Sequence, residues 1–294
     1  MARENSVLII AFDGLDLELI EKFGLETVKQ EEFGTIDNKT DIKEIKTSEL
    51  FASFITGTNY EEHGIEGIRR WDNPTKGKIV DLATPDILQN NIRGFTRLED
   101  VMKELFKVKK ITPGKEELEV DAIFDKIDNS KDMFVPGYEN SVMKETGAHR
   151  TPIKYGYFGE QLMEYYDSRE YEFRKRKLLR EVNTWFDFLM CHFQRVDFHQ
   201  HTFGDKDVAY DEEILEELYR DTEDLADRII EFFHGDYEYI IFMSDHGLPT
   251  EEGHNENAFY SCNKELFGDE TPHITDFHDK ILELTGNEDE IGSN

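Results

Sequence analysis

Apolar residues recur along this chain with two different periods, and the switches between them mark its elements. Two runs are continuously apolar, Val7-Leu-Ile-Ile-Ala-Phe12 and Tyr239-Ile-Ile-Phe-Met243. Runs of that length without polar alternation predict strands buried on both faces, as in a parallel sheet covered by helices. Each breaks off into polar residues, the first into Asp13-Gly14 and the second into Ser244-Asp245-His246-Gly247. An aromatic-rich strand is predicted over Trp185–Phe193 and a short one over Asp132–Val135. Thr35–Ile45 alternates and reads as a further strand or as an extended connector. Elsewhere the period is helical. Leu17, Leu19, Ile20 and Phe23 predict a helix capped by Asp16, and Leu50, Phe51, Phe54 and Ile55 predict one opening at Thr47-Ser48. Asp211–Phe233 has the clearest amphipathic pattern, with Ile214, Leu218, Leu225, Ile229 and Phe232 on its buried side. Thr275–Leu284 predicts a closing helix, and Glu116–Ile127 and Gly159–Val182 also read as helical. In the last of these, Glu170 and Glu172 precede Arg174 and Arg176 by four residues, the spacing of surface ion pairs. The basic cluster 174–177 is therefore read as a solvated face. Strands alternating with helices predict the α/β class.

Chemistry gathers where the strands end. Neighbouring side chains on a strand point to opposite faces, so Asp245 and His246 reach one ion only if the chain bends, and Gly247 is read as supplying that bend. With Asp16 serving as the helix cap, Asp13 is free for chemistry. Thr47 and Ser48 sit at a helix N-terminus. Such residues are common caps, but the same position favours an alkoxide and cradles a phosphoryl group. Just beyond the aromatic strand, the stretch Arg195–Gly204 carries Asp197, His199 and His201, and His254 follows His246 by eight residues. An isolated Asp-His-Gly is usually a loop; its recurrence as acid and imidazole at several strand ends points to a site.

Composition narrows the choice. The 294 residues suffice for one large domain, and the chain is read as a single domain, 1–294, in which 68–156 is the least informative segment. In that segment Thr96 and Glu99 form a capping box. Gly147–Gly159, with His149 and Arg150, reads as a mobile loop. Those two residues, like Arg69 and Arg70, are assigned to the surface. No repeat is visible, the longest apolar runs are strand-sized, and the N-terminal run is short for a secretory leader. Cys191 and Cys262 lie in or beside apolar segments and are read as reduced and packed. Together these features predict a cytoplasmic protein with no membrane partner. Thirty-four basic residues against 65 acidic ones leave a net charge of −31, which argues against a nucleic-acid polymer as partner. A high-salt setting or a strongly solvated surface would both account for it. A phosphate ester would be repelled by this field unless local cations compensate.

Asp13-Gly14 after the first strand, Thr47 ten residues before Gly57, the stretch TGTNYEEHGIEG and Asp245-His246-Gly247 together resemble the alkaline phosphatase superfamily. More narrowly, they resemble its type I phosphodiesterase and nucleotide pyrophosphatase branch. The resemblance covers the two ends of the chain better than the middle. It implies a three-layer α/β sandwich, a mostly parallel central sheet flanked by helices. It also implies two divalent cations, Zn²⁺ with Mn²⁺ or Fe as alternatives. One would be held by Asp13, Asp245, His246 and the Thr47 oxygen, the other by Asp197, His201 and His254, with His199 left as an outer or surface residue. Thr47 would be the nucleophile, with Ser48 as fallback, and hydrolysis would pass through a covalent phospho-threonine. The implied substrate is a small phosphorylated molecule, a nucleotide or other phosphodiester. A phosphomonoesterase, or a non-catalytic metal- or phosphate-ligand binding protein on the same fold, are the alternatives. Two positions depart from the branch: Ser48-Glu49 replaces a proline-containing step, and Leu50 stands where the branch places an Asn that holds a phosphoryl oxygen.

Overall fold

The segment Arg3–Phe12, strand β1, lies at the middle of a six-stranded sheet. The computed structural model describes residues 2–67, 70–83, 95–139, 160–203, 212–250 and 253–292. The other strands of the sheet are β2 (Glu32–Thr35), β3 (Ser130–Met133), β4 (Phe188–Phe193), β5 (Tyr237–Ser244) and β6 (Phe259–Cys262). Their spatial order is β2-β6-β5-β1-β4-β3. The four strands β3, β4, β1 and β5 run parallel, β6 pairs antiparallel with β5, and β2, antiparallel to β6, runs in the same direction as the four.

The continuous apolar run of β1 follows from burial on both faces. Leu8, Ile10 and Phe12 enter one core with helix α1 (Leu17–Phe23) and the long helix α5 (Glu212–Phe233). Val7, Ile9 and Ala11 enter the opposite core with helices α2 (Thr47–Thr56) and α6 (Asp276–Leu284). The result is a three-layer α/β sandwich with a mostly parallel sheet. Helices α3 (Glu172–Leu179) and α4 (Arg195–Phe203) flank β4 in sequence. A smaller unit contains the strand pair Arg70–Trp71 and Lys110–Ile111, with helices Pro74–Ala83 and Phe95–Phe106. Trp71, Val80 and Val108 form its own apolar cluster.

Several sequence expectations need correction. Thr35–Ile45 is a connector, since β2 ends at Thr35. The aromatic strand begins only at Phe188, and Trp185 is two-thirds exposed. Glu116–Ile127 is not one helix but two short turns, Lys115–Glu117 and Ile123–Lys126. On α5 the buried stripe runs through Leu215, Leu218, Tyr219, Thr222, Leu225, Ala226, Ile229 and Phe233. At 100° per residue, Ile214 and Phe232 fall about 90° from the middle of that stripe, and both are exposed. The largest correction concerns Glu170 and Arg174, which are buried rather than solvated. A π-helical turn, Asp167–Tyr171, precedes α3 and rotates this pair inward. Both cysteines are free and buried, as expected. The Thr96 and Glu99 side chains, Arg69, the Arg70 side chain and the Gly147–Gly159 loop lie outside the described residues. Among those described, no helix is long and apolar enough to cross a membrane.

Candidate metal centre

Asp13 and Asp245 leave adjacent parallel strands at the same edge of the sheet. Ala11 pairs with Met243, so each carboxylate stands two residues beyond a shared rung. The turns are pinned by Ser244, whose Oγ accepts from the Leu15 N–H at 3.0 Å and donates to the His246 carbonyl at 2.8 Å. His246 Nε2 then lies 3.2 Å from Asp13 Oδ1 and 3.5 Å from Asp245 Oδ2. Its Nδ1 donates to the Gly247 carbonyl at 2.9 Å, which in the neutral ring leaves the Nε2 lone pair aimed at the carboxylates.

Gly247 does not act as expected. Its φ lies outside the left-handed region, and its role is close approach. A β-carbon there would stand 2.2 Å from both Asn255 Oδ1 and Asp16 Oδ2. Asp16 is the cap of α1, accepting from the Glu18 and Leu19 N–H groups, and it also receives the Asn255 and Asn257 side chains. The helix cap thus holds the loop that leads to His254.

The second group is built from a helix and a hairpin. Asp197 and His201 share one face of α4 by their four-residue spacing. His254 comes from the short hairpin pairing Pro249–Thr250 with Gly253–His254. Asp197 Oδ1 lies 3.2 Å from His201 Nε2 and 3.4 Å from His254 Nε2, and the two imidazole nitrogens are 2.9 Å apart. His254 Nδ1 meets the Ile45 carbonyl at 3.3 Å. The His246 and His254 rings stack with centroids 3.8 Å apart, which places the two groups side by side.

Thr47 is the first residue of α2, whose entire length is buried. Its Oγ lies 3.3 Å from Asp13 Oδ1 and 3.2 Å from His246 Nε2. The structure therefore brings together all seven sequence candidates, Asp13, Thr47, Asp197, His201, Asp245, His246 and His254. The two departures from the branch pattern are absorbed by the fold. Leu50 is fully buried in the α2 core, and buried Glu49 accepts the Lys43 N–H at 2.8 Å. His199 pairs with Asp167 at 3.1 Å, away from both groups.

The electrostatics call for a cation. Asp13 Oδ2, Asp197 Oδ1 and both Asp245 oxygens are buried without a hydrogen-bond partner. Burial pushes the Asp245 carboxyl well up. Burial also opposes charge on Asp13, but His192 and His246 together hold that carboxyl below its usual value. For His246, burial is outweighed by the Asp245 and Asp13 carboxylates, and the imidazole is pushed up to about 10. Three buried carboxylates facing three imidazoles are costly unless positive charge joins them. Two sets of three donor atoms, Asp13/Asp245/His246 and Asp197/His201/His254, each lie within 4.8 Å of one another. Carboxylate and imidazole in this mix fit a divalent transition ion.

Sequence reasoning missed His192, Arg174 and Glu170. His192 Nε2 lies 3.2 Å from Asp13 Oδ2, and burial pushes its imidazole below the usual value. An imidazole inside the apolar run Phe188–Phe193 was the available signal, because a buried ring needs a partner.

A three-layer α/β sandwich with two carboxylate–imidazole groups at the carboxyl edge of its sheet defines an alkaline-phosphatase-like protein. The family model for type I phosphodiesterase / nucleotide pyrophosphatase matches residues 7–262, and the chain belongs to that family. Among curated proteins, none matches the chain. Among solved structures, it is similar to murine ectonucleotide pyrophosphatase / phosphodiesterase 5, with 16% identity over 82% of this chain and a TM-score of 0.49. The chain spans 57% of the length of that protein. An inactive form of the murine protein, in complex with AMP, is similar at 16% identity over 83% of this chain and 57% of that one, TM-score 0.48. Alkaline phosphatase from the Antarctic bacterium TAB5 is similar at 12% identity, over 97% of this chain and 99% of the other, with a TM-score of 0.47.

Proposed function

We propose that this protein hydrolyses a small phosphodiester or pyrophosphate, with Thr47 as nucleophile, using two divalent cations. The observation that carries the reading is the placement of Thr47 Oγ, 3.3 Å from Asp13 Oδ1 and 3.2 Å from His246 Nε2 at the start of a buried helix. Asp13, Asp245, His246 and the Thr47 oxygen would hold one ion, and Asp197, His201 and His254 the other. Zn²⁺ suits these donors, as Mn²⁺ or Fe would. Bound there, the ions supply Lewis acidity, lowering the pKa of a hydroxyl or water and offsetting charge on phosphoryl oxygens.

The chain's own residues do the rest. The first N–H groups of α2 have no partner within the helix, so the Ser48 N–H can hold a phosphoryl oxygen beside the helix dipole. Thr47 Oγ gives up its proton and bonds to phosphorus, the ester oxygen leaves with the bonding pair and takes up a proton, and Thr47 becomes a phosphoester. Water then attacks phosphorus and gives up a proton, the bond from phosphorus to Thr47 Oγ breaks, Oγ regains a proton, and the phosphoryl product is released. Cations held at the donor groups would offset the acidic surface, net −31, locally. Residues 68–156 would form a cap over this site within a single catalytic domain, and the preference for diesters and nucleotides rests on the family. A phosphomonoesterase would instead need a cationic clamp on two further phosphoryl oxygens.

The test is turnover of bis-p-nitrophenyl phosphate and the p-nitrophenyl ester of thymidine monophosphate against p-nitrophenyl phosphate. Each is run with Zn²⁺ or Mn²⁺, for the wild type and Thr47→Ala. Diester turnover that is lost in the variant supports the proposal. Preference for the monoester moves the protein to the phosphomonoesterases. Two bound metals with no turnover of any ester would sink catalysis and leave a binding protein.

A further inference from the structure

Strand β4 is apolar except for its penultimate side chain, His192, whose two nitrogens meet different partners. On one side, Arg174 Nη1 stands 3.0 Å from His192 Nδ1 and donates to the His192 carbonyl at 2.7 Å. On the other, His192 Nε2 stands 3.2 Å from Asp13 Oδ2, an ion-pair contact between two buried atoms that have no hydrogen-bond partner. Arg174 is itself anchored, its Nε and Nη2 donating to Glu170 Oε1 at 2.9 and 2.7 Å. Glu170 is 2%, Arg174 4%, His192 2% and Asp13 0% exposed, so the row is sealed from water. The edge of Phe51 against the imidazole, centroids 5.0 Å apart, fixes the plane of the ring.

A guanidinium has five donors and no acceptor. The nitrogen facing it, His192 Nδ1, must therefore carry a lone pair, and in a neutral ring the proton sits on Nε2. That excludes His192 as a metal ligand through Nε2 and makes it a donor directed at Asp13. We propose that Glu170 and Arg174 lock His192 in the Nε2–H tautomer, and that this N–H positions the Asp13 carboxylate by its Oδ2 atom. Asp13 Oδ1 is then left facing His246 and Thr47. A buried ion pair is weak evidence for stability, since apolar side chains of like volume often do as well. Here it has a local task, because without Arg174 the ring could turn its lone pair toward Asp13. The π-helical turn at Asp167–Tyr171 is the device that carries Glu170 inward. His192, Arg174 and Glu170 are thus positioning residues. Their role at the cation rests on the two-metal reading above, whereas the tautomer does not.

Two measurements on the full chain test this. The first is ¹⁵N-edited NMR of histidine-labelled wild type, with and without Zn²⁺, the His192 signal being assigned by its loss in His192→Gln. A proton on Nε2 and a bare Nδ1 are expected; the opposite tautomer overturns the proposal. The second is Zn²⁺ titration of metal-free protein against a chelating dye, with melting temperatures recorded alongside. His192→Gln, which keeps an N–H near the Nε2 position, should bind both ions within about threefold of wild type. His192→Phe should bind one ion about 10–100-fold more weakly and the other unchanged, the usual effect of removing an outer-sphere partner. Equal affinities in Phe variant and wild type refute positioning. Complete loss of one ion in both variants would make His192 a ligand and equally refute it. If the Phe variant fails to fold, the charge-neutral pair Glu170→Gln/Arg174→Met takes its place with the same expectation. Wild type that binds no Zn²⁺ would defeat the two-metal reading and positioning with it, while the tautomer would still be read by NMR.

Discussion

The backbone N–H of Asp197 donates to the carbonyl of Asp13 at 3.1 Å, so the two donor groups are joined through the main chain. That closeness depends on the residue between them. Gly14 has φ +73°, and a β-carbon there would stand 2.9 Å from Asp197 Cβ and 3.0 Å from its Cα. Helix α4 can approach the end of β1 only because this side chain is missing.

Gly14→Ala should therefore cost about 2–4 kcal/mol, combining left-handed backbone strain with overpacking against main chain that has little room to move. It should also weaken binding of the ion assigned to Asp197. Urea denaturation with and without Zn²⁺ checks both; an unchanged midpoint would show that α4 yields easily.

The two groups should load separately. Asp197→Asn or His254→Ala should leave protein that retains one of two Zn²⁺ ions, and His246→Ala should lose the other. The affected site should weaken by more than about 100-fold, beyond what loss of an outer partner causes. Metal analysis after dialysis reads the count. Loss of both ions from any one variant would mean that the stacked His246 and His254 rings make a single cooperative centre.

Thr47 and Ser48 differ in what surrounds them. Thr47 Oγ lies 3.3 Å from Asp13 Oδ1 and 3.2 Å from His246 Nε2, whereas the Ser48 side chain makes no hydrogen bond to either donor group among the described residues. Thr47→Ala should lower turnover by on the order of 10³-fold or more, and Ser48→Ala, which keeps its backbone N–H, by less than about tenfold. Steady-state rates on the preferred ester decide it. The reverse ranking would make Ser48 the nucleophile.

Much of this site could be read from the chain because its signals are local. An apolar run that stops at Asp13 or at Asp245-His246 announces a strand end, and the four-residue step from Asp197 to His201 announces a shared helix face. His254 was found by its place after His246 in the family pattern. What stayed hidden depends on packing between distant segments. Glu170 and Arg174 have the spacing of an ordinary surface pair, and nothing nearby reveals that a π turn faces them toward β4. Likewise Gly247 resembles a bend residue, and only the fold shows that Asp16 and Asn255 occupy the space its side chain would take.

His63 supplies a pH test remote from the metal donors. It is fully buried beneath α2, with Nδ1 accepting the Ile65 N–H at 3.1 Å and Nε2 meeting Ser53 Oγ at 3.0 Å. Nδ1 acts as an acceptor, so protonation would break that bond, and burial depresses the imidazole to about 4. The unfolded chain, titrating near 6.5, binds more protons than the folded one between those values. Stability from this group is thus fully present above pH 6.5, falls with decreasing pH and is gone below about 4, a change of roughly 3 kcal/mol. Carboxylates also titrate in the lower part of this window, so the informative quantity is a difference. In chelator-treated protein, His63→Gln should lose less stability than wild type between pH 6.5 and 4. Parallel curves for the two proteins would show that His63 accepts its proton without cost in the folded state.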